Sequence, residues 1–128
     1  AYIEKKKLQD KILIRSDVGN DILPIIYQSA EFFLYPSKYE GFGIPVLESF
    51  KSGTPIILSN TSSLPEVAGN AGYYVDPYKV ESIAQAMLDL HENANLRNHL
   101  INEGFEREKE FTLENFARKT LAVYDSVM

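Results

Sequence analysis

Two glutamates flank a glycine turn in the stretch YEGFGIPVLES, which runs from Tyr39 to Ser49. Glu40 precedes the Gly-Phe-Gly turn, and Glu48 lies in the helix predicted after it. The first amides of a helix have no internal partners, and together with the helix dipole they favour an anion such as phosphate. Carboxylates instead accept hydrogen bonds from hydroxyls. A phosphate between two hydroxyl-rich groups describes a nucleotide sugar, with ribose at one end and hexose at the other.

The same residues also have ordinary structural explanations. Gly41 and Gly43 amount to less than a full phosphate-loop signature. Glu48 can be a helix-favouring acid near a positive dipole end, and Glu40 an exposed loop acid. The stretch by itself leaves these alternatives open.

The composition is typical of a single globular domain. The chain has 128 residues, of which 45% are hydrophobic and 24% are charged. A net charge of −5 argues against a nucleic-acid surface, and the absence of cysteine excludes disulfides and thiolate metal sites. No apolar run approaches the roughly 18 to 20 residues of a membrane span.

Short apolar segments alternate with helical patterns along the chain, and their lack of polar alternation predicts strands buried on both faces. Strands are predicted at residues 11–15, 32–35, 55–58 and 72–75. Helices are predicted at residues 1–9, 21–29, 45–51, 63–68, 80–92, 95–109 and 113–127. This order predicts an α/β fold, a Rossmann-like layered domain with a parallel sheet. Ligands bind beyond the carboxyl ends of such strands, which is where the glycine turn lies.

Several side chains have structural interpretations. Asn20 or Asp21 can cap the second helix, whose predicted apolar face carries Ile22, Ile25 and Ile26. The other predicted roles are a capping box at Ser63 and Glu66, strand packing for Tyr73 and Tyr74, surface positions for His91 and His99, and one apolar face formed by Leu113, Phe116, Ala117, Thr120 and Tyr124.

The segment YPSKYEGFGIPVLESFKSGTPIILSNTSSLPEVAGNAGYYVDP, from Tyr35 to Pro77, resembles the donor-binding domain of retaining glycosyltransferases with the GT-B fold. More specifically it is similar to glycosyltransferase family 4, whose Glu-x7-Glu motif matches Glu40 to Glu48. The resemblance implies that Glu48 binds the ribose hydroxyls and that Glu40 is the catalytic-site residue that faces the donor sugar and its phosphates. It further implies donor contacts at Gly41, Phe42, Gly43 and Ile44, with Val18 near the base and Thr61 and Ser62 as weaker candidates.

The resemblance also implies a partner domain and a donor. The usual N-terminal acceptor domain and the Arg/Lys pair that neutralises the diphosphate do not precede residue 11, so we expect a truncated, inactive part of the donor-binding half. The donor is expected to be GDP-mannose, with a UDP-hexose as the next candidate. No Asp-x-Asp motif occurs, in agreement with transfer without metal or cofactor. The full-length enzyme is expected to be cytoplasmic, or peripheral at the inner membrane face.

Three other functions remain to be weighed. A receiver domain would need an acidic cluster and a phosphorylatable Asp at strand ends, where this chain has Tyr35-Pro36-Ser37 and Ser59-Asn60. A sugar-nucleotide epimerase shares the GT-B fold, although the stretch GFGIPVLE favours a transferase. A non-catalytic nucleotide-sugar-binding or assembly module is the third.

The strand order 3-2-1-4-5-6 of the family leads to a prediction of self-association. In that order residues 11–15 correspond to the third strand and residues 32–35 to the fourth, and the strands that separate them are absent. An unpaired central strand exposes hydrogen-bonding groups and an apolar face. We therefore expect the chain alone to pair with another copy, in preference to a rearranged sheet or a strand borrowed from a partner.

Overall fold

A computed structural model describes residues 2–128, and Ala1 lies outside the described residues. The sheet of this part of the chain has three parallel strands, β1 (Phe33–Tyr35), β2 (Ile56–Ser59) and β3 (Gly72–Val75), in the order β1-β2-β3. Leu34 pairs with Ile57, and Ile57 pairs with Tyr73. The strand β2 therefore has a neighbour on each side, whereas one edge of β1 is unpaired within residues 2–128.

Helices separate and follow these strands. They are α1 (Tyr2–Lys5), α2 (Leu23–Ser29), α3 (Ile44–Lys51), α4 (Leu64–Ala68), α5 (Val80–Glu92), α6 (Ala94–Glu108) and α7 (Leu113–Val127), with a short 3-10 helix at Gly69–Ala71. From residue 32 onward the predicted bounds agree with the structure to within one residue. The helix predicted at residues 1–9 is described only as α1 and is followed by turns.

The sheet is buried on both faces, which confirms the layered α/β prediction. Alternate residues of β2 point to opposite sides, because successive side chains of a strand alternate. On one side Ile56 and Leu58 join a cluster with residues of α3 and α4, while Ile57 packs on the other side with residues of α5 and α6. Each such apolar side chain stabilises the fold by about 1.5 to 3 kcal/mol.

The strand predicted at residues 11–15 is wrong. These residues form no regular secondary structure, and their apolar side chains are exposed, Leu13 to 78% and Ile14 to 74%. A strand needs the backbone of a neighbouring strand for its hydrogen bonds. Within residues 2–128 no strand lies beside this segment, so its apolar pattern alone does not place it in the sheet.

The predicted faces of α2 and α7 also need correction. Ile22, Ile25 and Ile26 are about half exposed, and it is Tyr27 that α2 buries. Neither Asn20 nor Asp21 caps this helix, which begins after Ile22 without a side-chain cap. The apolar residues of α7 are exposed as well, and none of its side chains is buried. Both patterns predicted the helix correctly, but no described element covers their apolar faces.

His91 lies on the surface as predicted, although it has acidic and basic neighbours. Its Nδ1 lies 3.0 Å from Glu31 Oε2, and the Arg97 guanidinium lies 3.2 Å from Glu31 Oε1. The hydrogen bond with His91 is the main cause of the lowered pKa of Glu31. This cluster joins the segment before β1 to the junction of α5 and α6. None of the described helices is long and apolar enough to cross a membrane.

Candidate functional site

The Gly-Phe-Gly turn leads directly into α3 at the carboxyl edge of the sheet. Gly43 has φ of 101°, a left-handed conformation that favours glycine. A Cβ at this position would also meet Leu64 Cδ2 at 2.7 Å, whereas a Cβ at Gly41 would meet nothing within 4 Å. Pro45 lies in the first turn of α3, where its missing N–H costs nothing. The turn therefore brings the start of α3, where Ile44 is exposed, to the surface beside Gly41.

Glu48 lies one turn into α3 and faces α2. Its Oε2 accepts a hydrogen bond of 3.2 Å from the hydroxyl of Tyr27. It lines a cavity of about 480 Å³ together with Asn20, Gln28 and Lys51. Glu48 is half-buried and forms no salt bridge with a cation of residues 2–128, so its carboxylate faces space in which a ligand hydroxyl can reach it.

Glu40 lies in the loop after β1 and is held by a different tyrosine. The Tyr35 hydroxyl donates to Glu40 Oε1 at 2.6 Å. This bond is the first cause of the lowered pKa of Glu40, with Ser37 as a second donor. The Glu40 carboxylate is therefore ionised at neutral pH and acts as a hydrogen-bond acceptor.

The backbone of the Glu40 loop is held by serines of the loop that follows β2. The Glu40 amide donates to Ser62 Oγ at 2.9 Å, and the hydroxyls of Ser62 and Ser63 donate to the Glu40 carbonyl at 3.0 and 2.9 Å. Ser63 also donates to the Phe42 carbonyl at 3.1 Å. The capping box predicted for Ser63 and Glu66 is therefore wrong, since the Ser63 hydroxyl is engaged here and caps no amide of α4.

The remaining predicted site residues divide between two loops. Thr61 Oγ1 donates to the Lys38 carbonyl at 3.2 Å, so Thr61, like Ser62, contacts the loop of Glu40. Val18 lies in the exposed segment before α2. Neither Val18 nor Glu40 lines the cavity beside Glu48, so this cavity does not include both carboxylates.

Sequence reasoning missed Tyr27 and Tyr35, the two residues that bond the carboxylates. Tyr35 ends β1 five residues before Glu40, and a hydroxyl at a strand end beside an acidic loop is a usable signal. Tyr27 is distant in sequence from Glu48 and meets it only because α2 packs on α3. No sequence pattern indicates that second pairing.

Tyr73 and Tyr74 pack in β3 as predicted, and their hydroxyls are also bonded. Tyr73 donates to Asp89 Oδ2 at 2.5 Å, and Tyr74 donates to the Gly69 carbonyl at 2.5 Å. These bonds lie away from the glycine turn and serve the packing of the helices on the sheet.

Comparison with known proteins identifies the family. The chain belongs to the family Glycosyl transferases group 1, which it matches over residues 1–107. It is 39% identical over 107 residues to O-antigen chain mannosyltransferase B of Escherichia coli, covering 84% of this chain and 28% of that protein. It is 32% identical over 125 residues to the MMP alpha-(1->4)-mannosyltransferase of Mycolicibacterium hassiacum, covering 94% of this chain and 30% of that protein.

Solved structures agree in fold. Sucrose-phosphate synthase from Thermosynechococcus elongatus superposes with a TM-score of 0.86 at 24% identity, over 98% of this chain and 32% of that one. The C-terminal domain of a glycosyl transferase group 1 family protein from Francisella tularensis gives a TM-score of 0.74 at 24% identity, over 86% and 58% of the two chains. The GT-B-type fold is thereby confirmed.

The chain spans less than a third of the length of the two mannosyltransferases. Membership of this family excludes the receiver-domain alternative. The family consists of glycosyltransferases, as the resemblance of residues Tyr35 to Pro77 to a glycosyltransferase domain implied.

Proposed function

We propose that this chain is the donor-binding part of a retaining glycosyltransferase of family 4, which transfers a hexose from a nucleotide-diphosphate sugar to an acceptor in glycan or polysaccharide synthesis. The observation that carries the proposal is the placement of Glu40 before, and of Glu48 after, the left-handed Gly43 that begins α3. An anion site between two hydroxyl-accepting carboxylates fits a nucleotide sugar.

Each group of the donor has a counterpart in this arrangement. The amides of Phe42, Gly43 and Ile44 bind the diphosphate and sugar, and the open space around Gly41 allows close approach. Glu48 accepts hydrogen bonds from the ribose hydroxyls in the cavity beside α2. The base of the nucleotide then lies near the segment that contains Val18. Glu40 contacts the donor sugar and its phosphates. Since the structure engages Thr61 and Ser62 with the loop of Glu40, we assign them to its support.

The donor is GDP-mannose in this proposal, because two of the similar proteins are mannosyltransferases. A UDP-hexose is the alternative donor. Transfer requires stabilisation of the leaving diphosphate and an acceptor held in place, which a second, acceptor-binding domain and its cations supply. The chain by itself is therefore proposed to be inactive, and the complete enzyme to work in the cytoplasm without a metal ion or cofactor.

Calorimetric titration of the complete enzyme tests this assignment. Glu48→Ala should weaken GDP-mannose binding by about 1.5 to 3 kcal/mol, the scale for hydrogen bonds to a charged group. Glu81→Ala removes an exposed acid in the first turn of α5 and is the matched control, with binding unchanged. The same measurement is made with UDP-glucose. If the Glu48→Ala variant binds each of the two donors as tightly as the wild type does, the ribose role is contradicted.

The epimerase and non-catalytic alternatives give different products. Incubation of the complete enzyme with donor alone would yield an epimerised nucleotide sugar in the first case. Donor binding without transfer to any acceptor glycan would support the second. The proposed transferase instead releases nucleoside diphosphate and extends the acceptor.

A further inference from the structure

A row of three aromatic rings connects the two carboxylates of the proposed donor site. The Tyr27 ring meets Phe33 edge-on, with centroids 5.0 Å apart, and Phe33 stacks on Tyr35 at 5.6 Å. The outer rings end in hydroxyls that donate to Glu48 Oε2 and Glu40 Oε1. Both carboxylates are therefore bonded to one aromatic row that rests on β1.

Each end of this row is held by rigid structure. Tyr27 is only 8% exposed, and its carbonyl accepts a hydrogen bond of 2.7 Å from Thr54 Oγ1. Tyr35 lies within β1 and pairs with Leu58 of the buried central strand. A hydroxyl on a fixed ring restricts the rotamers of the carboxylate that accepts from it. The bond from Tyr35, at 2.6 Å, has the short length typical of a bond to an ionised group, and the bond from Tyr27, at 3.2 Å, is longer.

We propose that Tyr35 and Tyr27 are positioning residues of the donor site, with Tyr35 orienting Glu40 and Tyr27 orienting Glu48. The inference rests on the proposed function and deepens it. Each carboxylate has several lone pairs, so one bond to the protein leaves others for hydroxyls of the donor. When both side chains are fixed before the donor binds, less conformational entropy is lost on binding.

The protonation states agree with this arrangement. Burial, followed by the charge of Glu48, raises the pKa of Tyr27 to about 12, and burial followed by the bond to Glu40 raises the pKa of Tyr35 to about 12. Both phenols therefore keep the proton that they donate at neutral pH.

Steady-state kinetics of the complete enzyme with GDP-mannose test the proposal. The variants Tyr35→Phe and Tyr27→Phe keep the aromatic row and remove only a hydroxyl. Tyr35→Phe should lower kcat about tenfold with donor KM within about twofold, and Tyr27→Phe should raise donor KM about tenfold. Tyr73→Phe is the matched control, because its hydroxyl donates to the carboxylate of Asp89 away from the site. Both kinetic constants of this control should stay within about twofold.

A double-mutant cycle separates positioning from general structural support. If Tyr35 acts through Glu40, adding Tyr35→Phe to a Glu40→Gln enzyme should lower kcat by less than about twofold more. The cycle of Tyr27→Phe with Glu48→Gln should behave likewise in donor KM. A full further tenfold loss in either cycle would overturn the inference.

A measurement without donor distinguishes this failure from failure of the proposed function. The ring-carbon NMR signals of labelled Tyr35 and Tyr27 should shift in Glu40→Gln and Glu48→Gln, respectively, but not in Glu81→Ala. Unshifted signals, or tyrosine variants that match Tyr73→Phe while the wild type turns over donor, overturn the positioning role alone. Shifted signals in an enzyme that binds neither GDP-mannose nor UDP-glucose overturn the donor-site proposal, and the positioning role with it.

Discussion

Two triplets of the same apolar character have opposite environments in this molecule. Ile56-Ile57-Leu58 forms most of β2 and is completely buried, whereas Ile12-Leu13-Ile14 lies in an exposed segment without regular structure. The first triplet has a strand on each side and helices on both faces. The second has neither within residues 2–128. An apolar triplet thus predicts a capacity for burial, and its neighbours decide whether burial occurs.

The largest effect is expected from truncating one isoleucine of each triplet. Ile57→Ala removes a fully buried side chain and should lower the free energy of unfolding by about 3 to 4 kcal/mol. Ile14→Ala is the matched variant and should change it by less than about 0.5 kcal/mol. Urea unfolding of the chain at low concentration gives both values. Comparable losses in the two variants would show that the exposed segment is packed in solution.

Glycine substitution sharpens the comparison within the site itself. Gly43→Ala forces a side chain into a left-handed backbone and against Leu64, and should cost about 2 to 3 kcal/mol of stability. Gly41→Ala has open space around it and should cost less than about 1 kcal/mol. Thermal unfolding of the two variants provides the test, and equal melting temperatures would contradict the tight fit at Gly43.

The exposed triplet and the unpaired edge of β1 support the proposal that the chain alone self-associates. Ile14→Lys places a charge in the triplet and should weaken the association about tenfold, or about 1.4 kcal/mol. Sedimentation equilibrium at micromolar concentration measures this change, with Lys79→Glu as an exposed charge control. A wild-type chain that stays monomeric and melts cooperatively would contradict the proposal.

The last prediction concerns the tyrosines of the site, which make the stability depend on pH only in alkaline solution. Their pKa values of about 12 in the fold exceed the ordinary 10.0, so the folded state favours the protonated phenol. Their contribution to stability is complete below about pH 10 and is lost as the pH rises from 10 towards 12. The doubly substituted Tyr27→Phe/Tyr35→Phe chain should therefore lose less stability than the wild type over that interval. Wild-type and doubly substituted chains whose stability falls equally over that interval in urea unfolding would contradict the raised pKa values of the two phenols.

Most elements predicted from residue 32 onward have apolar faces that pack against partners in the same chain. The exception is α7, whose periodicity predicts the helix correctly although its apolar face is exposed. The glycine turn and the start of α3 follow from local backbone chemistry, and the structure agrees at both of them. Residues 11–15 were mispredicted because strand formation is decided by a neighbour that no local pattern contains.

The site was predictable only in part, for a related physical reason. Glu40 and Glu48 stand out because their spacing around a glycine turn is local. Tyr27 becomes a partner of Glu48, and Ser62 and Ser63 become partners of the Glu40 loop, only after the helices and strands have packed. The capping-box pattern at Ser63 was misleading because a carbonyl from another loop competes for the same hydroxyl.

The serine hydrogen bonds hold the backbone of the Glu40 loop and leave the carboxylate of Glu40 to other partners. At residue 40 the bonds from Ser62 and Ser63 involve backbone atoms and no side-chain atom, and every amino acid except proline offers the same backbone atoms. The backbone of the loop can therefore keep its conformation when the side chain of residue 40 is replaced. For engineering, other hydrogen-bonding side chains can therefore be placed at residue 40 without redesigning the scaffold.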